Sequence, residues 1–185
     1  EQPIQITKTG GRFLVTPITD TNIFTREDFT EEQREIQEMV QGFCTEHIAP
    51  VKEELEKKDK DLTFSLLQKI AELGLLGIAV PEKYGGMELD NITAAIVAEA
   101  SSYSECSSFV VTWSTNLGIG SLPIVWFGTP AQKEKYLPRL IDGTCLGAYG
   151  LTEPSAGSDA LSAKTTAVLS EDGKHYILNG EKVFI

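Results

Sequence analysis

The chain has 185 residues, 41% of them hydrophobic and 23% charged, enough for one sizeable domain or for one domain and part of a second. Sixteen basic against 27 acidic residues leave a net charge of -11, which repels nucleic acid and anionic lipid and argues against a large basic docking surface. No apolar run approaches the roughly 20 residues of a membrane span, and three widely spaced cysteines with two histidines give little material for a zinc site or a Ser-His-Asp triad.

Residues 1 to 29 mix Pro3, Gly10-Gly11, Pro17 and several threonines without helical period, and are expected to form an extended arm. Glu-Gln-Pro-Ile at the start lacks the basic and apolar regions of a secretory signal, so a cytoplasmic location is expected. At Thr30 the character changes. Thr30-Glu31-Glu32-Gln33 has capping-box spacing, and Ile36, Val40, Phe43 and His47 recur at helical intervals up to Pro50. His47, on or beside that stripe, reads as a hydrogen-bonded core or boundary histidine, with no acid or thiol partner apparent for catalysis.

Lys52 to Lys60 reads as a solvated helical face. Leu66, Leu67, Ile70 and Leu73 predict a short amphipathic helix ended by Gly74 or Gly77. Pro81 to Gly86 is a turn. Asn91 is expected to cap a helix rich in small residues, through Ala100. Residues 107 to 127 are apolar and aromatic, divided by Gly118, Gly120 and Pro123 into two helices, and Phe109, Trp113, Trp126 and Phe127 read by default as core. Thr129-Pro130 opens a basic helix over Ala131 to Leu140, with Pro at the favoured first position.

From Thr144 the period shifts to that of strands, at Cys145 to Leu151, Thr165 to Leu169, His175 to Leu178 and Glu181 to Ile185. Glu171 to Lys174 is a four-residue turn, and Asn179-Gly180 is a strong hairpin signal. The expected fold class is α+β: an arm over 1–29, an all-helical domain over 30–143, and the start of a middle, β-barrel-like domain over 144–185, cut before its last strand finds a partner.

Tyr149 to Ser158, Tyr-Gly-Leu-Thr-Glu-Pro-Ser-Ala-Gly-Ser, carries the strongest chemical signal. Thr152, Ser155 and Ser158 supply hydroxyls, Pro154 fixes a backbone angle, and Gly157 permits a close approach. Such a loop suits a polar, phosphorylated, planar ligand. Read alone, it also fits a helix cap or a hydroxyl-rich surface bend.

The wider context bears on that choice. Leu151-Thr152-Glu153-Pro154, Ala156-Gly157-Ser158-Asp159, Asp172-Gly173 and Asn179-Gly180-Glu181-Lys182, together with Pro81 to Gly86 and Phe127 to Pro138, closely resemble the acyl-CoA dehydrogenase flavoprotein family. The resemblance covers roughly residues 30 to 185; the arm before Thr30 resembles the very-long-chain-type branch. It implies FAD held between the β domain and a C-terminal helical bundle, in a homodimer or homotetramer that passes electrons to an electron-transferring flavoprotein. For a eukaryotic protein it implies the mitochondrial matrix.

By motif, the resemblance assigns FAD contacts to Tyr149, Leu151, Thr152, Gly157, Ser158, Phe184 and Ile185. Phe184 stands where the family often has Trp. Ser158 would also meet the thioester ligand, and the helical wall from Ser101 to Leu122, with Phe109 and Trp113, would line the acyl tunnel. The implied reaction removes the α-proton of a fatty acyl-CoA with a carboxylate while hydride leaves to the flavin, giving trans-2-enoyl-CoA. The family's base is a glutamate of the C-terminal bundle, so no catalytic residue and no metal ligand is assigned here and the fragment alone is expected to be inactive. Glu153 reads as an organiser of its loop through backbone hydrogen bonds, and Asp159 as a cap. Alternatives on the same residues are an acyl-CoA oxidase or flavin monooxygenase, or a binding or assembly module without activity.

Overall fold

Thr30 begins the helical part as its capping-box spacing predicts: its hydroxyl accepts from the Gln33 N–H at 3.1 Å, and the Gln33 side chain accepts from the Thr30 N–H at 3.1 Å. The computed structural model describes residues 24–185. Most of the expected N-terminal arm lies outside the described residues; its last part, Arg26–Asp28, forms a single 3-10 turn.

Helix α1, Glu31–Phe43, continues through a wide π turn, Cys44–Ile48, and a 3-10 turn, Ala49–Val51, into α2, Lys52–Glu56. Pro50 therefore does not stop the helical path, because it falls in a first turn where its missing N–H is no loss. His47 is exposed and packs its ring 5.0 Å from that of Phe43, so the expected core or boundary histidine lies on the surface. The wide turn explains the shift: inserting a residue into the helical repeat rotates the next side chains off the apolar stripe.

Helix α3, Lys60–Glu72, buries Leu66, Leu67 and Ile70. Its end is a Schellman motif: the Gly74 N–H donates to Ala71 and the Leu75 N–H to Ile70, with Gly74 at φ 77°. Beyond the Pro81 turn, Gly86 is compulsory for another reason. A Cβ there would lie 2.0 Å from the Val80 carbonyl oxygen.

Helix α4, Asn91–Ala100, is capped by Asp90 rather than by Asn91: the Asp90 carboxylate accepts from the Thr93 N–H at 2.8 Å and the Thr93 hydroxyl at 2.7 Å. The buried Gln33 amide donates to that same hydroxyl at 3.4 Å, tying the capped starts of α1 and α4 together. Helix α5, Ser107–Thr115, runs through a second π turn, Asn116–Gly120, to α6, Leu122–Phe127, and α7, Pro130–Ile141, is capped by Thr129 with Gln132 in a second capping box.

The main core joins Ile36, Val40 and Phe43 of α1, Leu67 and Ile70 of α3, Val97 and Ala100 of α4, and Phe109 and Trp113 of α5. Full burial of each large side chain in this set contributes about 1.5–3 kcal/mol. A second, smaller core packs Val80 and Tyr84 under Leu137 and Leu140 of α7, with Ile124 and Val125 of α6 against it. Those two residues take the inward side of α6. Trp126 and Phe127 consequently point outward, 64% and 84% exposed, unlike the buried pair on α5. No helix among the described residues is long and apolar enough to cross a membrane.

Strands β1, Thr166–Leu169, and β2, Tyr176–Asn179, form a two-stranded antiparallel sheet with Thr166 opposite Asn179 and Leu169 opposite Tyr176. Their turn falls at Glu171 to Lys174, where Gly173 takes φ 69° and Ser170 and Asp172 bond the backbone of Lys174 and His175. Asn179-Gly180 makes no hairpin. Gly180 instead lies hard against Thr165, whose Oγ1 would sit 2.1 Å from an added Cβ, so this glycine serves close approach. Residues 145–151 and 181–185 read as strand-like yet form no strand, because a strand needs a ladder: Gly147 gives its N–H to the Asn116 side chain, and Val183 bonds Thr152 once.

Candidate functional site

The loop from Tyr149 to Ser158 is stiffened at its centre by a tight turn. Glu153 and Ala156 exchange both backbone hydrogen bonds at 3.1 Å, with Pro154 and Ser155 at the tip. Inside the turn the Glu153 side chain is buried, 5% exposed, and accepts four hydrogen bonds: from the Lys164 N–H at 2.6 Å, the Thr165 N–H at 3.0 Å, the Thr165 hydroxyl at 2.5 Å and the Lys182 ammonium at 2.9 Å. Glu153 thus organises its loop through backbone donors, as its position before Pro154 suggests, with a hydroxyl and an ammonium added.

That coordination fixes its protonation state. The Thr165 hydroxyl, the Lys164 N–H and the Lys182 ammonium hold the carboxyl down to about 2, against an ordinary 4.5, and outweigh desolvation. A folded-state value below the unfolded one stabilises the fold above about 4.5 and loses that contribution as pH falls toward about 2. The urea midpoint of the wild-type protein is therefore expected to drop between about pH 6 and about pH 3 more steeply than that of Glu153→Gln, which cannot ionise.

Around this hub the outward residues are presented. Tyr149 and Leu151 are 46% and 42% exposed, Thr152 is half-buried, and Ser155, Gly157 and Ser158 are exposed. A Cβ at Gly157 would meet nothing within 4 Å, and its φ is not left-handed. Neither packing nor backbone conformation within the chain requires a glycine there, so its backbone stands uncovered. The segment carrying Phe184 and Ile185 approaches the loop through Ile185: a Cβ on Gly150 would lie 4.0 Å from Ile185 Cδ1 and 3.8 Å from Lys182 Cγ. The seven residues with expected cofactor contacts thus fall on two adjoining segments. Asp159 precedes a 3-10 turn, Ala160–Ser162, and accepts a hydrogen bond from the Ser162 hydroxyl.

An apolar cleft of about 210 Å³ lies between α4 and the α5 π turn, lined among others by Ala94, Val97 and Ala98 on one wall and Trp113, Leu117 and Gly118 on the other. The small residues of α4 leave this room. Hydroxyls at its rim, Ser101 and Ser114, donate to the carbonyls of Ala98 and Val111 in their own helices, so the lining is effectively apolar. Trp113 borders the cleft while its indole N–H donates to the Leu75 carbonyl at 3.5 Å. Phe109, 2% exposed, does not border it; it floors a separate surface pocket of about 200 Å³ beside Leu55, Lys58 and Phe64. Among the other polar side chains, Cys44 is buried with its thiol pushed up to about 11 by desolvation, and all three cysteines are free.

Cleft and loop are joined by residues that the sequence patterns did not single out for this role. Asn116, fully buried in the π turn, donates to the Leu140 carbonyl at 3.0 Å and accepts from the Gly147 N–H at 2.7 Å. Gly120 and Gly147 then touch backbone to backbone: a Cβ on Gly120 would lie 2.7 Å from the Gly147 carbonyl carbon. An isolated glycine in an apolar run, as at Gly147, is the one sequence signal for such an approach.

Comparison with known proteins identifies the family. Residues 30–144 match the family described as "Acyl-CoA dehydrogenase, N-terminal domain", and residues 148–185 match "Acyl-CoA dehydrogenase, middle domain". The chain is 47% identical over 176 residues to a probable acyl-CoA dehydrogenase of Bacillus subtilis (strain 168), a match covering 95% of this chain and 29% of that protein. It is 42% identical over 156 residues to the mitochondrial very long-chain specific acyl-CoA dehydrogenase of Macaca fascicularis, covering 84% of this chain and 23% of that one. The crystal structure of an acyl-CoA dehydrogenase complexed with FAD from Bacillus anthracis superposes with a TM-score of 0.86 at 50% identity, over 94% of this chain and 30% of that one. This chain spans less than a third of the length of each of these relatives, and it belongs to the acyl-CoA dehydrogenase family.

Proposed function

We propose that the chain supplies the acyl-binding wall and one FAD-facing wall of an enzyme that oxidises a fatty acyl-CoA thioester to its trans-2-enoyl form and passes the electrons to an electron-transferring flavoprotein. The observation that carries this reading is an apolar cleft between α4 and the α5 π turn, a turn that through Gly120 touches the backbone of Gly147, two residues before the polar, glycine-bearing loop begins. An acyl-CoA has that polarity: a hydrocarbon tail, then a thioester and a phosphorylated carrier. The likeness to an acyl-CoA dehydrogenase complexed with FAD supports the cofactor.

In this reading the FAD contacts are Tyr149, Leu151, Thr152, Gly157, Ser158, Phe184 and Ile185, which present exposed apolar surface, hydroxyls and an uncovered backbone. When bound, FAD supplies the hydride acceptor. The chain's own residues bind and orient: Thr152 and Ser158 offer hydroxyls to polar groups, and Gly157 admits a phosphorylated group against the main chain. The tail lies in the α4–α5 cleft, whose lining is mostly apolar. Trp113 bounds it, while Phe109 stands behind as core. Glu153 takes no part in proton transfer, since its lone pairs are engaged by Lys164, Thr165 and Lys182 and its low pKa makes it a poor base.

The full-length protein, purified with FAD, is expected to convert palmitoyl- or octanoyl-CoA to the enoyl product with an electron-transferring flavoprotein as acceptor. Absence of enoyl-CoA with either substrate would overturn the reading. Aerobic turnover with peroxide and no added acceptor would turn it into an oxidase. Ser158→Ala is expected to weaken FAD retention by one charge-assisted hydrogen bond, about 1.5–3 kcal/mol, measured as the flavin dissociation constant.

A further inference from the structure

Lys182 makes two hydrogen bonds from one ammonium group, to the Leu151 carbonyl at 3.0 Å and to Glu153 Oε1 at 2.9 Å. The next residue, Val183, gives its N–H to the Thr152 carbonyl at 3.0 Å. These three bonds fasten segment 182–183 to segment 151–153. On either side of the fastening stand Leu151 with Thr152 and Phe184 with Ile185, the two groups of residues that the flavin reading brings to the cofactor.

The two ends of the fastening differ in what else holds them. Glu153 keeps three other donors, from Lys164 and Thr165, so the root of the loop does not depend on Lys182. The separation of the two outward segments does, with only the single Val183–Thr152 backbone bond beside it. The Lys182 side chain is 31% exposed and its partner carboxylate only 4%, which partly shields the pair from salt, and the ammonium makes each bond charge-assisted.

We propose that Lys182 is a positioning residue for the flavin, setting the spacing of the Leu151–Thr152 and Phe184–Ile185 walls by bridging the Leu151 carbonyl and the Glu153 carboxylate; this rests on the flavin reading above. A purely structural lysine would lower stability and cofactor affinity together. A positioning lysine lowers affinity and alters the flavin environment while the cofactor-free fold stays nearly as stable.

The test uses the full-length protein as wild type, Lys182→Met and Lys182→Arg, with three readouts: the FAD dissociation constant, the visible circular dichroism of bound flavin, and the melting temperature of the FAD-free form. Lys182→Met keeps the length and apolar stem but removes the charge. Loss of its charge-assisted bonds is expected to raise the dissociation constant about tenfold or more and change the visible dichroism, with the FAD-free melting temperature lowered by about 2–4 °C at most, the share that the Lys182–Glu153 pair contributes to the fold. Lys182→Arg, which can still reach both acceptors, is expected to recover most of the affinity. A dissociation constant for Lys182→Met within about twofold of wild type, with unchanged dichroism, would overturn the proposal. So would failure of both variants to fold, or melting temperatures that fall in step with affinity, since either would make Lys182 a folding element. A wild-type protein that takes up no FAD would sink the flavin reading and this proposal with it.

Discussion

Gly120→Ala is expected to destabilise the fold by about 1–3 kcal/mol or more, although alanine is ordinarily the better helix former. The added Cβ would lie 2.7 Å from the carbonyl carbon and 2.8 Å from the Cα of Gly147. Both are backbone atoms, with no rotamer to yield, so one segment must move. The reciprocal change, Gly147→Ala, meets Gly120 Cα at 2.8 Å and is expected to cost a similar amount. Because the two share one contact, the double variant should cost less than the sum of the singles. Gly118→Ala is the control: two residues away, its Cβ would meet nothing within 4 Å, and its effect on stability should stay within about 0.5 kcal/mol. Urea denaturation of the four variants checks the set. Equal effects at Gly118 and Gly120 would show that helical propensity, not the approach of two backbones, governs this turn. The functional consequence comes from position, since the displaced segment leads two residues later to Tyr149.

What could be read in advance tracked the range of the interactions involved. The capping box at Thr30, the helix start at Thr129-Pro130, the glycine stop after α3 and the turn at Glu171 to Lys174 are local, decided within a few residues, and each stands where its motif predicts. Even local signals failed where two candidates adjoined: Asp90 and Asn91 can both cap, and a carboxylate accepting two donors from Thr93 prevails. Periodicity failed where the helix widened. The π turn at Cys44–Ile48 moved His47 outward, and nothing in a regular helical count signals such an insertion.

In the candidate site, the turn at Pro154 and the organising role of Glu153 were legible, because a proline sets the bend and the carboxylate before it can accept nearby backbone donors. The buried clamp at Asn116, the Gly120–Gly147 contact and the double bond from Lys182 were not, since each joins residues 24 to 31 positions apart and a single sequence carries no trace of such pairs. The strand-like stretches around the loop illustrate the same limit. Alternation marks a chain able to pair, while pairing depends on a neighbour that the pattern does not name.

Trp113→Ala is expected to cost about 3–5 kcal/mol, a large share of the 5–15 kcal/mol by which single domains are typically stable. Trp113 is 1% exposed within the main core, and its indole also spans to the Leu75 carbonyl, so truncation removes apolar contacts and a hydrogen-bond donor together. The vacated volume would open directly into the α4–α5 cleft, which Trp113 borders. Two consequences can be separated by measurement. Thermal or urea unfolding should report the lost stability, and a long-chain acyl-CoA should restore more of it than a short-chain one if its tail fills the enlarged cleft. Trp113→Phe is the milder variant: it keeps most of the ring, loses the bond to Leu75, and should cost less than half as much as the alanine variant. Stabilisation of Trp113→Ala that is independent of acyl length would count against Trp113 as a wall of the acyl cleft and leave it as core alone. A widened cleft that favours longer tails would instead tie the packing of α5 to substrate choice.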